Sequence, residues 1–439
     1  MEQCCPTVGI YTLGCKVNQY ESEAVAERFS SRGFLVQSPT LSCDVYVINT
    51  CTVTAESDRK AGQFIRRAIR KNPLAYVLVM GCLSQTRPEA ASAIAGVDYV
   101  LGNVNKLSVV DAAIELLKNG RKPTPSTVNV CPLDEREFEA MKITRFDRTR
   151  AYVKIEDGCE NRCSYCIIPA ARGSVRSKQP EEVVAEVRGL VAGGCREIVL
   201  TGIETASYGK DLPDCTLADL LEEIDQIPDV GRIRLGSLDP SLMKQSFVDR
   251  IAPLSCIAPH FHLSMQSASD RILASMRRKY NRRIAMEGIE RLRRAFPRVQ
   301  FTTDMIVGFP GESDADFAES VAFIKEAELL MVHVFPYSAR QGTPAAEMKE
   351  QVPEQIKHLR VAAMNEAAKE VRQKILRASV GQTVPVLFET YKSGVAYGHT
   401  DSFIEVACPC ASPLASELCS VLLTDADDTR CYGEIRCRL

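Results

Sequence analysis

Ala151-Tyr-Val-Lys-Ile-Glu-Asp-Gly-Cys159-Glu-Asn-Arg-Cys163-Ser-Tyr-Cys166 joins a short apolar run to three cysteines. Residues 151–155 read as a strand, and Asp157-Gly158 opens a loop. Spacings of three and two residues let one loop wrap three thiolates around a single iron–sulfur cube. A cubane has four irons, so three cysteines leave one iron without a protein ligand. A structural zinc site would want a fourth Cys or His nearby, and IIPAARGSVRSK, the next twelve residues, contains neither. A zinc knuckle and three unrelated thiols are the competing readings. The four-cysteine spacing of ferredoxins does not fit.

Outward from this loop, a strand–helix series extends to about Pro336. Its strand candidates are 151–155, 197–200, 232–236, 260–263, 301–307 and 332–335, separated by helical patterns such as PEEVVAEVRGLVAGG. Six βα-like units predict a barrel, complete or partial, with its chemistry at the carboxyl ends of the strands. Upstream, 8–13, 44–49, 75–80 and 99–101 read as strands alternating with helices, which implies a parallel sheet with helices on its faces. Residues 119–150 are rich in Pro, Gly and charge and read as a linker, with room for a short strand pair. A helix over 353–379 leads to five short strands at 384–388, 395–399, 403–406, 420–423 and 433–436, the pattern of a small β-barrel. The fold class is therefore α/β with an appended β-barrel. The expected domains are 1–120 (parallel α/β sheet), 121–145 (linker), 146–376 (partial βα barrel) and 377–439 (β-barrel).

The upstream strands carry a second cysteine pattern. Cys15 follows the first in LGCKVNQYES, Cys51 the second in INTCTVT, and Cys82 the third in VMGCLSQ. Carboxyl ends of parallel strands share one sheet edge, where open α/β sheets bind ligands. The three thiols therefore converge, and a cluster held by three would again keep an open iron. Three buried cysteines near strand ends is the alternative.

The chain has 439 residues, 18 of them cysteine, and a net charge of −2. Nucleic-acid binding must then come from local patches rather than overall basicity. The start, MEQCCPTVGIYTLG, does not read as a signal peptide, and no stretch approaches a membrane span. The expectation is a cytoplasmic protein without membrane contact, in which clustered cysteines mean metal or catalysis rather than disulfides. Cys4, Cys5, Cys43, Cys131, Cys195, Cys215 and Cys256 lack ligand spacing. Cys408, Cys410, Cys419, Cys431 and Cys437 read as incidental thiols, with a metal site as the alternative.

CxxxCxxC after the first strand of a βα barrel resembles the radical S-adenosylmethionine superfamily. Together with LGCKVNQYES, NTCTVT and MGC it resembles the methylthiotransferases, in which a three-cysteine N-terminal domain precedes the radical domain. The terminal β-barrel is similar to the RNA-binding TRAM domain. GSLDP, HLSMQSASD, TDMIVGFPGE and HVFPYSARQGTPAA match further, over nearly the whole chain. Two segments depart from the family pattern. QSAS stands where QSGS is usual, and PAARG where an aromatic often precedes the Arg.

The resemblance implies two 4Fe–4S clusters, on Cys159, Cys163 and Cys166 and on Cys15, Cys51 and Cys82. It implies two S-adenosylmethionine molecules per turnover and a low-potential electron donor of flavodoxin or ferredoxin type. GCKVNQYES and VFPYSARQGTPAA are most similar to the branch acting on N6-threonylcarbamoyladenosine of tRNA, next to the anticodon at position 37. Isopentenyladenosine of tRNA or a ribosomal-protein aspartate is the alternative substrate, and a non-catalytic iron–sulfur RNA-binding protein the alternative class. Tyr165 would pack on the cofactor's adenine, and Thr201, Gly202, Ser237, Gln266 and Asp304 would meet its polar groups. Basic runs at Arg59, Lys60, Arg66, Arg67, Arg70 and Lys71, and from Arg277 to Arg283, are solvated helix faces or phosphate contacts.

Overall fold

The computed structural model describes residues 5–120, 122–133, 137–146 and 149–439; Cys4 lies outside them. The N-terminal sheet is built from β1 (Thr7–Thr12), α1 (Lys16–Ser31), β2 (Leu35–Gln37), β3 (Val45–Thr50), α2 (Ala55–Lys71), β4 (Tyr76–Gly81), α3 (Cys82–Thr86), α4 (Pro88–Ser92), β5 (Tyr99–Leu101), α5 (Ser108–Asn119) and β6 (Thr127–Asn129). All pairings are parallel, in the order β2-β1-β3-β4-β5-β6. Every residue of β3 and β4 is buried, as expected of central strands covered by helices on both faces. The expected strands are all present. The sheet also takes in β2 and β6, each three residues long, too short to show a period; β6 falls in the stretch read as linker.

The second series comprises β7 (Arg150–Lys154), β8 (Glu156–Asp157), α6 (Ile168–Arg172), β9 (Arg176–Ser177), α7 (Pro180–Ala192), β10 (Glu197–Thr201), α8 (Leu217–Asp225), β11 (Arg232–Leu235), α9 (Gln245–Ile251), β12 (His260–Gln266), α10 (Asp270–Ser275), α11 (Arg282–Ala295), β13 (Gln300–Val307), α12 (Asp314–Glu326) and β14 (Met331–Pro336). β11-β10-β7 and β12-β13-β14 are parallel sheets, joined by bridges Ile233–Ile257 and Leu238–Leu263. The result is a six-stranded open barrel. Tyr20 and Ala24 of α1 pack into its core, so the two α/β units share buried surface.

Helix α13 (Glu354–Ser379) leads to β15 (Thr383–Lys392), β16 (Val395–Thr400), β17 (Glu405–Pro409), β18 (Leu418–Ala426) and β19 (Cys431–Arg438), which close as β15-β16-β17-β19-β18. Cys408, Cys419 and Cys431 are buried in this barrel's core. Among the described residues no helix is long and apolar enough to cross a membrane.

The small barrel docks on the amino ends of the larger barrel's strands. Arg150, at the start of β7, forms ion pairs with Glu197 (3.0 Å) and Glu389. Arg232 and Arg234 of β11 donate to backbone carbonyls of Pro385, Thr400 and Asp401. Phe403 plugs the junction, stacked on His260 (4.5 Å) and His399 (4.8 Å) beneath Arg150 and Arg234. Glu197 is the anion common to this corner. Burial raises its carboxyl, but Arg234 and Arg150 outweigh that and hold it at about 2, below the ordinary 4.5. Its contribution is therefore full above the unfolded pKa and is lost as pH falls toward 2. Glu197→Gln should cost about 3–5 kcal/mol at neutral pH by leaving buried cations unpaired. The urea-midpoint gap between wild type and variant should close from about pH 5 to about pH 2. A gap constant over that range would contradict this role.

Candidate active site

In the first sheet β1 pairs with both β2 and β3, and the crevice at the carboxyl ends of such a reversal is where doubly wound folds bind ligands. Cys15 and Cys51 leave β1 and β3 at that reversal, and Cys82 leaves the adjacent β4. Gly14 and Gly81 precede Cys15 and Cys82 with the same φ of 102°, and a Cβ on either would lie 2.6 Å from Cys51 Cβ or from Thr50 O. This left-handed turn is open to glycine and strained for other residues. Cys15 then takes the N-cap position of α1 without a side-chain cap bond, and its thiol is raised from its ordinary value, by burial first, with Arg172 opposing the rise. The Cys51 thiol is pushed up to about 12, by burial first and then by Cys82 and Cys15 beside it. The three side chains thus converge.

The second trio sits in a pinned loop. Cys159 N donates to Gly173 O (3.0 Å), Ser164 N to Met276 O (3.1 Å) and Ser164 Oγ to Ser275 O (2.8 Å). Cys159, Cys163 and Cys166 border one cavity of ≈ 290 Å³, together with Tyr165, Glu204, Gln266, Arg278 and Asp304. Val53 and Thr54, which follow Cys51, line it as well, so the N-terminal unit reaches this cavity through the segment after Cys51. Burial pushes the Cys159 and Cys166 thiols up to about 12.

Dry, mutually repelling thiols of this kind are stable as thiolates only beside cations. Arg278 Nη1 lies 3.3 Å from Cys163 Sγ. Arg172 Nε (3.4 Å) and Asn103 Nδ2 (3.5 Å) donate to Cys82 Sγ. Among the described residues no three Cys, His, Asp or Glu side chains are arranged to hold a single metal ion. The donor sets suit a polynuclear cluster on three thiolates.

Tyr165, Gln266 and Asp304 therefore reach the cavity. A β-bulge and a φ of 63° at Gln266 turn its side chain toward it. Thr201, Gly202 and Ser237 do not line it. Glu156 occupies the space beside Gly202, and the chain reaches the cavity two residues later, at Ile203 and Glu204. Glu204 was not anticipated. Burial, then Asp239 beside it, raises its carboxyl to about 7, and its Oε1 is without a hydrogen-bond partner. It stands two residues after Gly202, so the strand-end signal was present two positions early. The run from Arg277 to Arg283 is not one solvated face: Arg278 is buried on Asp239 (2.9 Å), Arg282 pairs with Glu326 and Arg283 bonds Glu287 (2.5 Å). Arg66, Arg67, Arg70 and Lys71 of α2 are exposed as expected, and no described carboxylate pairs with them.

The radical SAM superfamily profile matches residues 153–324, and that of uncharacterized protein family UPF0004 matches 7–102. The chain is 41% identical to the threonylcarbamoyladenosine tRNA methylthiotransferase MtaB of Bacillus subtilis, over 91% of this chain and 90% of that one. The chain belongs to the radical S-adenosylmethionine methylthiotransferase family. The Thermotoga maritima MtaB is 38% identical over 91% of this chain and 90% of its own. A Clostridium botulinum tRNA-2-methylthio-N(6)-dimethylallyladenosine synthase is 34% identical over 87% and 85%. Among solved structures, the radical S-adenosylmethionine methyltransferase TsrM of Kitasatospora setae superposes with a TM-score of 0.57 at 16% identity, covering 78% of this chain and 77% of that one. That likeness is one of fold. For this methylthiotransferase a 4Fe–4S cluster and S-adenosylmethionine follow from the radical family itself.

Arg172 is the residue on which both trios lean. It bonds Glu21 (2.6 Å), Asp157 (3.1 Å) and Asn18 (2.6 Å) besides Cys82. Arg172→Met should lower stability by about 3–5 kcal/mol, because it strands Glu21 and Asp157 in the interior. Arg172→Lys, unable to span the same fork, should recover less than half of that loss. Denaturant midpoints of the two variants near that of the wild type would rule out this role.

Proposed function

We propose that this chain adds a methylthio group to C2 of N6-threonylcarbamoyladenosine at position 37 of tRNA. The observation that carries the reading is the joint one: relatives named for that substrate align over nine-tenths of the chain, and the Cys159, Cys163 and Cys166 loop borders a cavity that the segment after Cys51 also lines. Cys159, Cys163 and Cys166 would hold the cluster that takes S-adenosylmethionine, and Cys15, Cys51 and Cys82 a second one. When bound, these groups supply a 5′-deoxyadenosyl radical to remove hydrogen from C2, sulfur to replace it, and a methyl from a second S-adenosylmethionine.

The chain's own part is placement. The pinned loop fixes three ligands without a fourth, and Gln266, Asp304 and Glu204 offer polar groups to the cofactor within the cavity. Tyr165 supplies a face for its adenine. The phosphate backbone of tRNA would follow Arg66, Arg67, Arg70 and Lys71, since α2 starts at the cavity rim with Thr54 as its cap. The terminal barrel would add RNA contact. Electrons would come from a low-potential flavodoxin- or ferredoxin-type protein in the cytoplasm.

Two measurements test this. Nucleoside mass spectrometry of tRNA from a deletion strain should show the threonylcarbamoyl nucleoside without its 2-methylthio form; its persistence, with no paralogue, would refute the substrate. Reconstituted wild type should carry about eight irons, and Cys82→Ala about four. Cys82→Ala should still release 5′-deoxyadenosine but form no methylthio product, whereas Cys159→Ala should release none. Unchanged iron in Cys82→Ala would remove the second cluster.

A further inference from the structure

A second cavity opens beside the first. It measures ≈ 400 Å³ and shares two wall residues, Asn161 and Glu204, with the cavity of the Cys159 loop. Its cations are Lys210 after β10, Lys244 at the N-cap of α9, Arg250 of α9, and Lys279 between α10 and α11. Arg250 is held by Asp219 (2.6 Å) and Glu222 (2.7 Å). The three lysines are not held. All are exposed, and none forms an ion pair with a described carboxylate; Lys210 Nζ donates to Ser207 Oγ (2.7 Å). Lys279 belongs to the basic run 277–283, in which Arg278, Arg282 and Arg283 are each taken by a carboxylate.

The two carboxylates in the wall do little to offset these lysines. Asp239 is taken by Arg278 (2.9 Å). Burial, then Asp239, raises Glu204 to about 7, so close to half of it is neutral at neutral pH. Lysine is a point charge on a flexible stem, without the planar fork of arginine. Three of them on three separate loops favour negative charge of no particular shape, as a surface that follows a phosphodiester backbone must. Asn161, Thr216, Ser241 and Ser246 share the wall, and such side chains supply sugar and phosphate hydrogen bonds at nucleic-acid interfaces.

We propose that the Lys210, Lys244 and Lys279 cavity takes backbone phosphates of the RNA whose base enters the adjoining cavity. This rests on the tRNA substrate proposed above and gives that RNA a second phosphate surface. The first, α2, begins at the β14 edge of the larger barrel, where Ala55 N donates to Ser338 Oγ (3.1 Å). The lysines stand after β10 and β11 and ahead of α11, on other strands of the same barrel. A nucleotide with its base in the active cavity carries a phosphate on each side. With basic surfaces reaching that cavity from different strands, the two flanking stretches of backbone are held by different units of the chain.

The test measures the affinity of the reconstituted enzyme for an anticodon stem-loop RNA by fluorescence anisotropy, over about 0.05–0.3 M salt. Each phosphate contact adds about 0.7–0.9 to the slope of log affinity against log salt. The combined Lys210→Gln, Lys244→Gln, Lys279→Gln variant should therefore lose about 2–3 of that slope, and about tenfold in affinity at about 0.1 M salt. Each single glutamine variant should lose about a third of the slope change, so the result does not depend on the combined variant alone. Arginine at the three positions should keep both slope and affinity. Iron per chain, measured on every variant, reports separately on the cysteine sites. An unchanged slope in the glutamine variants, with a wild type that methylthiolates the RNA, would overturn the assignment and leave the substrate intact. So would an unchanged slope accompanied by slower reduction by flavodoxin, which would give the lysines to the electron donor. A wild type that neither binds nor methylthiolates the stem-loop would overturn the substrate, and this assignment with it.

Discussion

The junction of the two α/β units turns on one buried guanidinium. Arg172 sits between Glu21 and Asn18 of α1 and Asp157 of the radical barrel, and Lys106 and Lys154 close the set around Glu21. Lys106, Lys154 and Arg172 face Glu21 and Asp157, with Arg176 also 3.7 Å from Asp157 and Glu139 near Lys106 and Lys154. Arg172 Nε also reaches Cys82 Sγ, at 3.4 Å. Burying so many charges does not by itself stabilise a fold relative to an apolar core. These buried charges tie α1 of the first unit to the start of the radical barrel, beside the Cys159 loop. Arg172 ends α6, the helix after the Cys166 loop, and Asp157 stands two residues before Cys159. A shift at either would move the loop holding the second trio.

Much of this was legible locally. The CxxxCxxC loop, the three strand-end cysteines and ten of the strands announce themselves within windows of ten residues, because hydrophobic period and ligand spacing are short-range signals. The five strands of the terminal barrel were equally plain. Glu21, by contrast, reads in VNQYES as one more polar helix residue; its partners lie 85, 133 and 151 residues away. Arg278 was hidden by company, since five of its six neighbours in RRKYNRR are basic or polar and the run looks like a solvated face. Only the Asp239 carboxylate, brought in from the loop after β11, explains why this one arginine turns inward. The cavity residue Glu204 was missed for a third reason. The end of β10 was located correctly, but Glu156 fills the first available position and the chain must travel two residues further to reach open space.

The two ends of the larger barrel are treated differently. At the amino ends, Phe403 and the ion pairs of Glu197 seal the lumen against the small barrel. At the carboxyl ends the cysteines, Gln266 and Asp304 face a cavity bordered by both α/β units. A substrate must therefore approach from the carboxyl side, past the start of α2. An RNA long enough to reach the terminal barrel as well would have to pass along the outside of the radical domain, since the lumen is closed to it. The base alone can enter, unstacked from its neighbours, at a cost that falls when it comes from a loop rather than a duplex. An adenosine beside an anticodon meets that condition, because it lies in a single-stranded turn whose neighbours are already splayed.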